Sequence, residues 1–319
     1  MEDVQDTLNH TTTTESSERP NGIKIKVFYT AHSIASDLDG LDERLSDCDV
    51  YIPESEGWNP YILKIFNDVS SGERSPEEVL AKARMTPEDP RYDFTKTQLE
   101  AIHETKKPIT FIDVPEGEAD YAEGLPPSYL EISEDGRVIL KYGYNESMQR
   151  SREDMENTSK EQDKRDSYMV SSLPTQLDKL KQDYPHLKGI KEINILLQIG
   201  VAHAKLFHLL REKGYSVERD HRMPPFRDYM EQCVLRLQFG KELDDDNLVA
   251  RAMLDYVLRT FFLYQILEET QDTHNTAVQL REINNRFTLS EIEDLFDKSA
   301  EQDGDIGSVL MTDYADKLE

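Results

Sequence analysis

Residues 190–215 (IKEINILLQIGVAHAKLFHLLREKGY) constrain the fold of this chain more than any other stretch. They begin with a short apolar run of strand length at 193–199, which Gly200 interrupts. Apolar residues then recur at helical spacing as far as Gly214, a residue typical of a helix C-cap. The pattern predicts a strand, a tight turn and a helix. Ligands of open α/β sheets bind beyond the carboxyl ends of the strands, so we expect His203, in the turn, to lie where such a fold carries its chemistry.

A second unit of the same kind lies near the start of the chain. Residues 23–29 (IKIKVFY) have the pattern of a strand, His32 follows directly, and residues 33–45 favour a helix. A further short strand at 49–52 is followed by Glu54. A right-handed βαβ unit brings both carboxyl strand ends to one edge of the sheet. The sequence therefore predicts that His32 and Glu54 lie close together.

Other segments extend this pattern. Residues 108–114 (PITFIDV) indicate a third strand with Asp113 near its end, and residues 130–142 indicate a hairpin around an Asp-Gly turn. Residues 215–217 could form a short further strand, and residues 226–270 have the apolar faces of helices. We therefore predict an α/β protein whose strands share one mainly parallel central sheet flanked by helices, with a helical C-terminal extension and a small β-hairpin insertion.

The same patterns divide the chain into regions. We predict a disordered tail at 1–21, an α/β core at 22–223, a helical extension packed on that core at 224–300, and a polar tail at 301–319. Residues 145–181 are predicted to be helical and highly charged, with a break near Pro174.

The charge of the chain restricts its partners and its location. There are 64 acidic residues against 37 Lys and Arg, for a net charge of -27, and such a surface repels nucleic acid and anionic lipid. No segment approaches the roughly 18 apolar residues that a membrane span needs, and the N-terminus has no signal-peptide pattern. Cys48 and Cys233 are isolated, which favours a reducing compartment. We expect an acidic cytoplasmic protein.

Three residues at predicted strand ends are candidates for chemistry. His32 and His203 are suited to metal ligation or to acid–base catalysis near neutral pH, although each could instead cap the following helix. Glu54 could complete a His₂-carboxylate site for Zn, Mn or Co with an open position for water. It could equally act alone as a general base, or be an ordinary solvated carboxylate.

Two further residues are candidates for binding substrate. Arg165 has a guanidinium fork that matches an anionic substrate group or the carboxylate of Glu54, although an exposed ion pair at a helix start is the alternative. Asp113, at the end of the third predicted strand, is a weaker candidate for the same site.

Four short motifs occur in a fixed order. They are YTAH at 29–32, a strand ending in Glu54, the pair Arg165-Asp166, and GVAH at 200–203. In this order the motifs, which span about residues 23–217, resemble the TraB/GumN/Tiki-like and erythromycin-esterase-like superfamily. The resemblance implies hydrolysis of a peptide or an ester. Tyr29 stands where that superfamily has glycine, and we expect its side chain to narrow the substrate pocket or to re-aim His32.

Two functional hypotheses follow. The first is a hydrolase of small-molecule or peptide substrates, in which Glu54 or a divalent metal activates water, His32 and His203 hold the metal or move protons, and Arg165 orients the substrate. The second is a catalytically inactive member of the superfamily that acts as a binding or regulatory module. Tyr29 and the acidic helical region favour this alternative.

Overall fold

The fold is known from a computed structural model of the chain. It describes residues 22–30, 35–89, 91–118, 127–134, 137–221, 227–270 and 272–318. His32, the predicted N-terminal tail at 1–21 and the Asp-Gly turn of the predicted hairpin lie outside these ranges.

The described residues form a four-stranded, all-parallel sheet and a separate two-stranded antiparallel hairpin. The strands are β1 (Ile23–Thr30), β2 (Val50–Pro53), β3 (Leu130–Ile132), β4 (Val138–Leu140), β5 (Ile193–Gly200) and β6 (Ser216–His221). The order in the sheet is β2-β5-β1-β6, and β3 and β4 form the hairpin. The predicted α/β class, with a parallel sheet, flanking helices and a small hairpin, is therefore confirmed.

Helices make up most of the remaining structure. The helices that precede β5 along the chain are α1 (Leu41–Ser46), α2 (Pro60–Ser71), α3 (Pro76–Ala83), α4 (Tyr92–Thr105) and α5 (Tyr144–Asp183). After β5 come α6 (Ala204–Glu212), α7 (Tyr229–Gln238), α8 (Asp246–Thr270), α9 (Thr273–Asn285), α10 (Leu289–Glu301), α11 (Ile306–Asp313) and α12 (Ala315–Leu318). No helix in the described part of the chain is both long enough and apolar enough to cross a bilayer.

Each face of the sheet has its own hydrophobic core, because the side chains of a strand alternate between the two faces. Ile25 and Val27 of β1 pack with α5 and α6, whereas Phe28 packs on the opposite face with α1, α2 and α4. β5, which lies between β2 and β1, alternates in the same way and is buried on both faces. Burial on both faces explains why its sequence is a nearly continuous apolar run.

Two of the predicted strands differ from the structure. Residues 108–114 form no named strand and join the sheet only through a parallel bridge between Tyr51 and Ile109, so the prediction of a full third strand there is wrong. Pro108 lacks a backbone N–H, which removes one donor from this segment. In contrast, β6 extends to His221 although its sequence is polar, because an edge strand has one side open to water.

Helix α5 contains 40 residues and runs without interruption through Pro174, so the predicted break at this proline is wrong. Leu173 and Leu177, on either side of the proline, are buried in the core between the helix and the sheet. Packing therefore holds the helical conformation where the missing backbone donor weakens it.

The C-terminal helices form a further core, separate from the two on the sheet, together with the hairpin and the first turns of α5. Residues 301–319 contribute to it, because Ile306, Val309 and Leu310 are buried along α11. The prediction of a polar tail is therefore wrong for this segment. These three buried residues lie at helical spacing and cover one face, a short pattern that the surrounding Asp residues conceal in the sequence.

Candidate functional site

Glu54 and His203 meet at the carboxyl edge of the sheet. Glu54 directly follows β2, and its backbone N–H donates to the carbonyl of Gln198 at 2.8 Å, which fixes its position beside β5. His203 ends the short turn after β5. Nε2 of His203 lies 3.1 Å from Oε1 of Glu54, and the backbone N–H of Gly200 donates to Oε2. Two strand ends that are far apart in sequence thus supply one acid–base pair.

A second carboxylate contacts the other nitrogen of the same ring. Nδ1 of His203 lies 2.5 Å from Oδ1 of Asp166, which projects from α5. Both side chains are almost completely buried, with exposures of 1% and 0%. Gln162, one turn earlier on α5, donates from its side-chain amide to the same oxygen at 3.1 Å. The ring is therefore held between two carboxylates.

These contacts determine the charge of His203. Burial of the ring opposes protonation, but Glu54 and Asp166 outweigh this effect and raise the pKa of His203 from 6.5 to about 10. At neutral pH the side chain is consequently an imidazolium that faces a carboxylate at each nitrogen, and the side-chain nitrogen of Gln162 also lies 2.7 Å from Nδ1. In this state it can stabilise negative charge and release a proton, but it has no lone pair with which to bind a metal.

Arg165 joins three carboxylates on the other side of Glu54. Its Nε and Nη2 donate to the two oxygens of Asp113 at 2.9 and 2.8 Å. Nη2 also donates to Oε1 of Glu54 at 2.7 Å, and Nη1 lies 3.0 Å from Oε2 of Glu56. Such a bidentate fork is the strongest geometry available to an Arg–carboxylate pair. Arg165 therefore fixes the orientation of Glu54 from α5.

Asp113 also makes hydrogen bonds that do not involve Arg165. The backbone N–H groups of Val114 and Ser55 donate to its carboxylate at 2.8 and 3.3 Å. The indole of Trp58 donates to its backbone carbonyl at 2.7 Å. The side chain is fully buried, so a substrate cannot reach it in this arrangement. Its contacts are those of a group that positions Arg165.

Tyr29 lies beside this centre in the next strand of the sheet. Its ring stacks on that of His221 with a centroid separation of 4.7 Å, and its side chain belongs to the core between β1 and α5. Burial raises the pKa of its hydroxyl to about 12. In the described part of the chain this hydroxyl is buried without a hydrogen-bond partner, as is Oδ2 of Asp166.

The predicted metal site needs His32 as its third ligand, and His32 is not among the described residues. Within the described ranges, no cluster of three or more His, Cys, Asp or Glu side chains is arranged to hold a metal. The two remaining predicted ligands are engaged with each other, since the protonated ring of His203 donates toward Glu54. These contacts do not fit metal ligation as they stand, and the metal remains a prediction.

The sequence patterns singled out Glu54, His203, Arg165 and Asp113, but not three of their partners. Glu56, Gln162 and Asp166 complete the network. The pair Arg165-Asp166 was the one available signal for Asp166. The spacing of four residues between Gln162 and Asp166 places both on one helical face, but residues 156–167 of α5 hold no apolar side chain that would mark this face in the sequence.

A buried polar network lies on the opposite face of the sheet. The hydroxyl of Tyr51 donates to the side-chain oxygen of Gln198, and the amide of Gln98 donates to the same hydroxyl at 2.9 Å. Gln198 is completely buried in the middle of the apolar run of β5. These groups satisfy one another and anchor β2 and β5 just before the strand ends that carry the site.

Comparison with known proteins finds no protein-family model, no curated protein and no solved structure that matches this chain. The resemblance to the TraB/GumN/Tiki-like and erythromycin-esterase-like superfamily therefore remains a prediction from its motifs.

Proposed function

We propose that this chain is a cytoplasmic hydrolase of the TraB/GumN/Tiki-like type that cleaves a peptide or ester bond in a small-molecule or peptide substrate. The observation that carries the proposal is the 3.1 Å contact between Nε2 of His203 and Oε1 of Glu54 at the edge where α/β sheets bind ligands. A carboxylate and an imidazolium in contact supply the base and the acid that such a reaction needs.

In the proposed reaction Glu54 accepts a proton from water, and the resulting hydroxide attacks the carbonyl carbon. The imidazolium of His203 stabilises the tetrahedral oxyanion and gives its proton to the leaving oxygen or nitrogen as the bond breaks. The proton on Glu54 then passes to His203 across their contact, which restores both groups. Arg165 keeps Glu54 in place throughout.

The raised pKa of His203 supports the metal-independent form of the reaction, because the ring is the acid at neutral pH. The alternative form, in which Zn, Mn or Co activates the water, needs His203 to be neutral and His32 to join it. Both forms need Glu54, and they differ in whether the purified protein requires a metal.

A binding or regulatory module is the second candidate. It is favoured by the donors that already surround Glu54: Arg165, Gly200 and His203 all contact its carboxylate. These contacts leave little room for a substrate water. The buried ring of Tyr29, where the superfamily has glycine, favours the same role.

The experiment measures hydrolysis of p-nitrophenyl esters and of a mixed peptide library after dialysis against EDTA, with and without added Zn, Mn or Co. Replacing Glu54 by Gln or His203 by Gln should lower kcat by about 10²-fold or more. Glu218→Gln, an exposed change on β6, is the matched control and should retain the wild-type rate. Because the imidazolium is the active form, kcat/KM should fall as the pH rises through about 10.

Hydrolysis only after metal is added would favour the metal-dependent form. Equal rates for the wild type, Glu54→Gln and Glu218→Gln would rule out Glu54 as the base. A wild type that cleaves nothing under any of these conditions would leave the binding module as the better explanation.

A further inference from the structure

A cleft lies next to the turn that carries His203. Its volume is about 410 Å³, and it lies between α6, β6 and α7. Its lining begins at Ala204, directly after His203, and includes Arg219 on β6 and Arg236 on α7. Small-molecule sites in proteins have volumes of about 300–1,000 Å³, so the cleft is large enough for a small ligand.

The charge of the cleft is opposite to that of the chain. Arg219, Arg227, Arg236 and Lys241 line it, and no Asp or Glu does. In a chain of net charge -27, four cations around one small cleft are a strong local exception. Cations placed together repel one another unless an anion lies between them. This concentration of positive charge therefore indicates an anionic ligand.

The cations are not used in salt bridges. The described residues include no ion pair for any of the four, whereas the neighbouring Asp220 turns away and binds Arg44, with the closest atoms 2.8 Å apart. Burial raises the pKa of Glu231 and the charge of nearby Arg227 opposes this rise, but Glu231 does not line the cleft. The positive groups thus remain available to a ligand from solution.

Two of the guanidinium groups are held in position before any ligand arrives. Nη2 of Arg219 donates to Nε2 of His208 at 2.9 Å, and its guanidinium lies 4.0 Å from the ring centroid of Phe207. Burial, together with nearby Arg219, lowers the pKa of His208, so its ring is neutral and accepts this bond. Nη1 of Arg227 lies 3.5 Å from the carbonyl of Val201. Such preorganisation reduces the entropy lost on binding.

The remainder of the lining is suited to an organic group. Leu235 and Phe239 of the α7 region provide apolar surface, and Phe239 is 48% exposed, which is unusual for a phenylalanine. The edge of its ring meets the ring of His208 at a centroid separation of 5.4 Å. An aromatic face next to guanidinium groups can hold a flat group that carries an anion.

We propose that this cleft binds a small organic anion through oxyanion groups, phosphate or carboxylate, with its organic part against Phe239 and Leu235. Guanidinium forks match both kinds of oxyanion. The proposal does not depend on hydrolysis at Glu54, since it concerns a separate set of side chains. An acidic protein partner is the competing occupant, and the small volume of the cleft, about 410 Å³, favours the small molecule.

The test is calorimetric titration of the full-length protein with sodium pyrophosphate and, separately, with sodium citrate, at an ionic strength held constant with sodium chloride. Binding of pyrophosphate alone would identify a phosphate site, and binding of citrate alone a carboxylate site. The double variant Arg236→Glu/Lys241→Glu should lower the affinity for the anion by about tenfold or more. Lys179→Glu/Lys188→Glu makes the same change of net charge at two exposed sites that do not line the cleft, one near the end of α5 and one in the turn that follows it. This variant should bind within about twofold of the wild type.

A third variant tests the organic part of the ligand. Phe239→Ala should lower the affinity for p-nitrophenyl phosphate by about threefold or more and leave the affinity for pyrophosphate unchanged. Thermal melting of each variant shows that it is folded, and Lys241→Glu alone replaces the double variant if that variant is not.

Failure of both anions to bind better than chloride would overturn the proposal. So would equal weakening in the cleft variant and its control, because a general charge effect would then explain the binding. An acidic peptide that binds the cleft when neither small anion does would assign the surface to a protein partner instead.

Discussion

Two clusters of buried carboxylates lie in different halves of this molecule, and they are stabilised in opposite ways. At the sheet edge, Asp113 and Glu54 are paired with the guanidinium of Arg165, and Asp166 and Glu54 flank the imidazolium of His203. Each buried carboxylate there has a cation within hydrogen-bond distance. The cluster is a network of ions in which removal of one partner exposes the charge of the others.

In the helical half, neutral groups perform much of the same task. Asp255 accepts from the backbone N–H of Tyr229 and from the amide of Asn284, each at 2.6 Å. Burial and the nearby carboxylate of Asp228 raise the pKa of Asp255 to about 7, and the same two causes raise that of Glu231 to about 7. Arg259 contacts the carboxylate of Asp228, with the closest atoms 2.6 Å apart, but its side chain is 42% exposed to solvent.

The difference shows that depth alone does not set the charge of a buried acid. Burial disfavours the ionised form in both clusters, and the partners decide the outcome. A cation in contact keeps a pair charged and raises the pKa of His203, whereas amide donors leave Asp255 close to half-protonated at neutral pH. The first arrangement suits a permanently charged centre and the second suits a pH-dependent one.

The largest effect should come from removing one cation from each cluster. Arg165→Leu takes the guanidinium away from three carboxylates in a buried site, and we expect it to lower the free energy of unfolding by about 3–5 kcal/mol. Arg259→Leu removes an exposed cation and should cost about 1 kcal/mol or less. Urea denaturation at pH 7 measures both. Equal losses would mean that the two clusters are stabilised in the same way.

A smaller effect should distinguish the clusters by pH. The folded-state pKa of Asp255 is about 7 and its usual value is 3.8, so between these values the folded protein holds a proton that the unfolded chain has lost. The contribution of Asp255 to stability therefore falls as the pH rises through this window, and it levels off above pH 7. Asp255→Asn should make that slope shallower by about 1 kcal/mol per pH unit.

The control for this prediction is Asp178→Asn, because Asp178 is 74% exposed and lies outside both clusters. It should leave the slope of the unfolding free energy between pH 4 and pH 7 unchanged. A wild-type slope that Asp255→Asn does not alter would assign the pH dependence to other groups.

The smallest effect concerns two tyrosines within the sheet. Tyr29→Phe removes a buried hydroxyl that has no hydrogen-bond partner among the described residues, and it should change stability by about 0.5 kcal/mol or less, or increase it. Tyr51→Phe removes a hydroxyl that contacts Gln198 and Gln98, and it should cost about 1–3 kcal/mol. Thermal and urea melts compare the two. A larger loss for Tyr29→Phe would reveal a partner for its hydroxyl.

The sheet was predictable from the sequence because its central strands are buried on both faces. β5 and β1 appear as apolar runs followed by turns, and the rule that parallel strands share an edge then brings Glu54 near His203. β6 was predicted only in part, since its polar residues conceal an edge strand. Residues 108–114 have the composition of a strand but form a single bridge to the sheet instead of a ladder of backbone hydrogen bonds. Composition alone does not reveal this difference.

The partners of the site were less predictable for a physical reason. Gln162 and Asp166 continue, at helical spacing, the face of α5 that buries Met169, Leu173 and Leu177. Residues 156–167 hold no apolar side chain, so the sequence does not mark this face where the site lies. The basic cleft was hidden differently, because Arg219, Arg236 and Lys241 are separated in sequence and are interspersed with acidic residues. Only the packing of α6, β6 and α7 brings these cations together.

Helix α5 connects the two halves of the molecule. At about 1.5 Å per residue its 40 residues span about 60 Å. Tyr144 and Met148 anchor its start in the C-terminal core, and Leu173 and Leu177 anchor its end beneath the sheet. Arg165 lies between these anchors, so the segment that orients Glu54 belongs to a helix whose two ends are packed in different cores. Weaker packing at either end of α5 would let the helix shift and move Arg165 relative to Glu54. The position of the charged side chains therefore depends on the packing of the helical half as well as on the sheet.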